Sequence, residues 1–104
     1  MSDEVFNASE QELERTIAKS DGVIAVFLSE PFHPGARVMA ERVQHLSRDG
    51  RAFQVIDVSL AAYRTWAASY DAYGTPAILF FENGKLVSRV LGVVEEEVLG
   101  ATIS

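Results

Sequence analysis

Along this chain the spacing of apolar residues changes several times, and each change marks a new element. A short edge strand is predicted at Val5-Phe6. Ser9 and Glu12 then form an S-x-x-E sequence, in which hydroxyl and carboxylate can each cap the other residue's backbone amide; with Leu13 and Ile17 on one face, it predicts a helix from about Ser9 to Lys19. Val23 to Leu28 is continuously apolar and rich in branched side chains, which suits a central strand covered on both faces. From about Pro34 to Ser47, Ala36, Met39, Ala40, Val43 and Leu46 fall on one helical stripe, with Arg37, Glu41, Gln44 and Arg48 outward. Pro34 suits an early helical position, where its missing N–H is not needed.

After an Asp49-Gly50 turn, Phe53 to Val58 reads as a strand. Tyr63, Trp66, Ala67 and Tyr70 then take the i, i+3, i+4, i+7 spacing of a buried helical face, with Ser59 as a cap and Trp66 as core packing. Ala77 to Phe81 and Leu86 to Leu91 flank Asn83-Gly84, the strongest short hairpin signal. A last helix is predicted from near Val94, with Glu95, Glu96 and Glu97 at the positive end of its dipole and Val98 on its inner face. The order is βαβαβαββα, an α/β arrangement. Strand-helix-strand repeats imply right-handed crossovers and a parallel core, and the hairpin adds an antiparallel edge. The result is one mixed sheet with helices on both faces.

Length and composition narrow the function classes. With 104 residues, the chain reads as a single domain, 1–104, because two cores would each bury too little. No apolar run approaches the roughly 20 residues that span a bilayer, and the Met1-Ser2-Asp3-Glu4 start has no basic region; a cytoplasmic location is expected. Net charge is −6, without a basic cluster, which disfavours nucleic acid and anionic membranes as partners. The chain has no cysteine, so disulfides, thiolate metal sites and thiol nucleophiles are all excluded. His33 and His45 are twelve residues apart, roughly 18 Å along a helix, too far to share a metal ion. Asn7-Ala8-Ser9 matches a glycosylation sequon, but these residues are better used as helix caps.

Two segments carry a resemblance. Val26-Phe27-Leu28-Ser29-Glu30-Pro31-Phe32-His33-Pro34-Gly35 is similar to the strand end and active-site loop of thioredoxins, D-F-W-A-E-W-C-G-P-C, with Phe27, Glu30 and Pro34 coinciding. Tyr70 through Thr75-Pro76, followed by an apolar strand and Glu82-Asn83-Gly84-Lys85, is similar to the segment that ends in that family's cis-proline and to its x-N-G-x hairpin. With the matching element order, the chain resembles the thioredoxin-like superfamily over nearly its whole length. The resemblance implies that Pro76 is the cis-proline and that Phe32-His33-Pro34-Gly35 is the active-site-equivalent loop. Both reactive cysteines are missing there, as Phe32 and Gly35. Val26 replaces the buried carboxylate of many relatives, and Pro31 replaces the tryptophan before the first thiol. These four departures together imply a redox-inactive branch that is not an enzyme and takes no cofactor.

What function remains is read from the same face. In relatives the residue before the cis-proline offers its backbone to an extended peptide, which here would be Thr75, rimmed by Pro31, Phe32 and Tyr73. The expectation is a protein- or peptide-binding adaptor or assembly chaperone, monomeric or a weak dimer, with Phe32 as first anchor. Disulfide isomerases contain non-catalytic domains of this kind, and bacterial hydrogenase maturation uses thioredoxin-like accessories. An alternative is a small-ligand protein or enzyme that holds glutathione or another anion at the start of the second helix, near His33. Ser29, Glu30 and His33 also offer a nucleophile, a carboxylate and a base, although one loop seldom supplies a whole triad. A third alternative is a structural subunit whose helix faces are buried in an assembly. Asp57 and the run Glu95 to Glu97 read as solvated or capping charges.

Overall fold

The computed structural model describes residues 6–30, 33–48 and 53–102. Its elements are α1 (Ala8–Lys19), β1 (Val23–Ser29), α2 (Pro34–Arg48), β2 (Phe53–Ser59), α3 (Arg64–Ser69), β3 (Ala77–Glu82), β4 (Lys85–Leu91) and α4 (Glu96–Thr102). Of the strand expected at Val5-Phe6, Val5 lies outside the described residues and Phe6 is not in a strand; it packs as a partly buried side chain against the core. The Asp49-Gly50 turn also lies outside the described residues.

The sheet order is β2-β1-β3-β4. β1 runs parallel to β2 and antiparallel to β3, and β3 runs antiparallel to β4. The parallel core expected from the repeats is therefore confined to the β1–β2 pair. The six residues of α3 rise only about 9 Å, against about 23 Å for a seven-residue strand, so this helix does not run the length of the sheet, and β3 enters from the end where β2 left it.

Continuous apolar strands divide their side chains between two layers by simple alternation. Ile24, Val26 and Leu28 of β1, with Ala77, Leu79 and Phe81 of β3, pack under Leu13 and Ile17 of α1 and Trp66 and Ala67 of α3. Ala25, Phe27, Ile78 and Phe80 face the other way, onto Ala36, Met39, Val43 and Leu46 of α2 and Leu99 of α4. Trp66 is fully buried against Tyr70 and Phe81, a core residue as its spacing indicated. Burial of each large apolar side chain in these layers stabilises the fold by about 1.5–3 kcal/mol.

Two boundaries differ from the sequence reading. The capping box of α1 is formed by Asn7 and Glu10 rather than Ser9 and Glu12. Asn7 Oδ1 accepts from the Glu10 amide at 2.8 Å and Glu10 Oε1 from the Asn7 amide at 2.9 Å. The frame is fixed from outside the helix, because Glu10 Oε2 also accepts the Trp66 amide at 2.6 Å and Asn7 Nδ2 donates to the Ala62 carbonyl at 3.0 Å. Secondly, α4 starts at Glu96 rather than near Val94, and its inner face is made by Leu99; Val98 is 53% exposed. Ser59 does not cap α3 itself. Its hydroxyl and carbonyl accept the Ala62 amide, in the turn that leads to Tyr63, the N-cap residue.

The β3–β4 hairpin closes through Asn83 and Gly84, both with positive φ, 51° and 85°, as a type I′ turn requires. Among the described residues no helix is long and apolar enough to cross a membrane.

Candidate functional site

Sheet register gathers the segments of interest. Leu28 pairs with Ala77, and Ala77 with Leu91, so β1 ends, β3 begins and β4 ends at one edge of the sheet. The loop before α2, the loop before β3 and the loop after β4 therefore share that end, while the Asn83-Gly84 turn lies at the other.

Pro31 and Phe32 lie outside the described residues. His33 precedes α2 and caps it. Its Nδ1 accepts the Gly35 amide at 3.1 Å, and its carbonyl accepts the Ala36 amide at 3.1 Å. Pro34 has no amide hydrogen. The first three positions of α2 thus offer no free N–H to a ligand, which removes the donors that an anion or glutathione would use there. The His33 ring forms no hydrogen bond with the side chains of Ser29 or Glu30. Ser29 instead accepts the Leu60 amide through its carbonyl, and the triad arrangement is not assembled.

An open depression of about 550 Å³ lies beside this turn, lined by Glu30, His33, Pro34, Ala36 and Arg37. Val26 is fully buried between Ile56 and Leu79 in the sheet.

The Thr75–Pro76 peptide bond is cis. Pro76 is buried and its carbonyl accepts the Gly92 amide at 2.8 Å. Thr75 is half-buried, and among the described residues no hydrogen bond engages its backbone. Tyr73 is 72% exposed, the most exposed large apolar side chain described.

Sequence reasoning missed the loop after β4. Gly92, at φ +84°, turns the chain so that Val93 lies over Gly35 and the Val94 backbone docks on α2. The Val94 amide donates to Met39 Sδ at 3.4 Å, and Arg42 Nη1 donates to the Val94 carbonyl. Glu96 then meets His45 at 3.2 Å. The only local signal was a glycine directly after an apolar strand.

Other candidate positions resolve simply. Both ends of the Asn7 side-chain amide are engaged as a cap and a tether. Asp57 is exposed, and Glu96 and Glu97 occupy the first turn of α4. Among the described residues no group of three potential ligands is placed to hold a metal ion.

No protein-family model and no curated protein sequence matches this chain. Among solved structures, a mutant thioredoxin from Halobacterium salinarum NRC-1 superposes with a TM-score of 0.74 at 20% identity, over 88% of this chain and 79% of that one. Mixed sheet, two helical layers and structural neighbour agree: the chain has a thioredoxin-like fold, in which the absence of any cysteine leaves no thiol for disulfide exchange.

Proposed function

We propose that this is a redox-inactive thioredoxin-like domain that binds an extended segment of a protein partner, as an adaptor or assembly chaperone. The binding face is built from Tyr73 and Thr75 around the buried Pro76, together with Pro31 and Phe32 of the active-site-equivalent loop. The observation that carries this reading is the exposure of Tyr73 at 72%, two residues from a Thr75 backbone that no described residue engages. An extended segment can hydrogen-bond to such a backbone by strand addition. An aromatic side chain beside it can become an anchor worth about 2 kcal/mol or more once a partner buries it.

The small-anion alternative is weakened by the capping of α2, whose leading amides already have His33 as acceptor. The test is an affinity capture from native lysate with wild-type protein and a Phe32→Ala, Tyr73→Ala double variant shown by circular dichroism to be folded. Loss of a discrete partner in the variant supports the face. Retention of that partner by both proteins places binding on the helix faces and refutes it.

A further inference from the structure

By the sequence resemblance, Gly35 corresponds to the second reactive cysteine of thioredoxins. A Cβ built there would stand 2.7 Å from Val93 Cγ2, and 3.2 Å and 3.4 Å from His33 Cε1 and Nδ1. Real Cβ atoms do not approach other atoms at the first of these distances, so Val93 would have to move. It is poorly able to do so. Valine is stiff about χ1, and the backbone is tied on both sides, by the Gly92 amide on the Pro76 carbonyl and by the Val94 amide and carbonyl on Met39 and Arg42. The His33 ring is equally committed, since its Nδ1 holds the Gly35 amide.

We infer that Gly35 and Val93 form a lock between the start of α2 and the loop after β4, in which Val93 fills the volume that any side chain at position 35 would need. Val93 thereby closes the position that the resemblance matches to the second thiol, and presents its half-exposed isopropyl group beside the start of α2. A partner at this position meets the Val93 side chain rather than a reactive thiol. Only this last consequence rests on the binding reading; the lock itself is a matter of packing.

The lock predicts a reversal of sign. Within a helix, alanine is normally preferred to glycine, so Gly35→Ala should raise stability if nothing stood in the way. With Val93 in place we expect Gly35→Ala to lower the melting temperature by roughly 5 °C or more. In a Val93→Ala background the same substitution should have less than half that effect, or raise the melting temperature. Hydrogen exchange at the Val94 amide should be faster in Gly35→Ala and return toward the wild-type rate in the double variant. A Gly35→Ala protein more stable than wild type, or a loss undiminished by Val93→Ala, overturns the lock. Partner capture has no part in this result, so failure of the binding face and failure of the lock are separable.

Discussion

Glu10 shows how much one side chain can hold. It is 2% exposed, and its two oxygens accept the Asn7 amide, completing the cap of α1, and the Trp66 amide, in the first turn of α3. α3 receives no side-chain cap from its own N-cap residue, Tyr63, so a carboxylate 56 positions away does that work. Glu10→Ala should therefore cost about 3 kcal/mol, because it strands a buried amide and loosens two helices; urea unfolding measures this directly. Tyr73→Ala, by contrast, should change stability by less than about 0.5 kcal/mol, as expected for an exposed side chain, so any loss of binding in that variant belongs to the surface.

Tyr70 gives a pH signature at the same scale. Its burial, and then the hydrogen bond and negative charge of Glu14, hold its phenol well above the ordinary value of 10.0. In the unfolded chain the phenol ionises near pH 10, while in the folded chain it keeps its proton. The stabilisation is thus fully present below about pH 10 and is lost as pH rises toward the folded value. Unfolding midpoints between pH 9 and 11.5 should fall in wild type and fall less in Tyr70→Phe. Parallel curves would contradict the assignment.

Among the elements, those whose burial is decided locally were legible in the sequence. Runs such as Val23 to Leu28 and Ala77 to Phe81 suit covered strands, and Asn83-Gly84 between apolar segments reads as a tight turn; both form as read. Errors arose where a distant group decided. Asn7 to Glu10 and Ser9 to Glu12 are overlapping capping frames with similar local merit, and Trp66 and Ala62 select the first. Glu95 to Glu97 reads as a first helical turn, but the backbone of Val94 is held by Met39 and Arg42, so the helix begins at Glu96 and its inward residue moves from Val98 to Leu99. Leu99→Ala should cost about 2–4 kcal/mol and Val98→Ala less than about 1 kcal/mol, compared by denaturant unfolding. Similar costs at the two positions would refute the helical register. The candidate site divides in the same way. Thr75, Pro76 and the loop from Phe32 to Gly35 could be found from local motifs, whereas the cap that His33 places on Gly35, and the approach of Val93 to it, are contacts that no local motif marks.

At the scale of the molecule, two apolar layers hold the sheet, four-stranded among the described residues, and its ends have different characters. One end carries the Asn83-Gly84 turn, and the other brings together His33, Gly35, Tyr73, Thr75, Pro76 and Val93. Because the chain lacks cysteine, a single introduced thiol is unique and can carry a photo-crosslinker. The most direct measurement places that crosslinker at Tyr73→Cys and, as the control from the opposite end, at Lys85→Cys, and compares capture of partner protein in native lysate. We expect a discrete adduct from the Tyr73→Cys protein that excess unlabelled wild type suppresses, and none from Lys85→Cys. Capture from Lys85→Cys alone, or equal capture from both, would contradict the claim that this end of the sheet is the binding face.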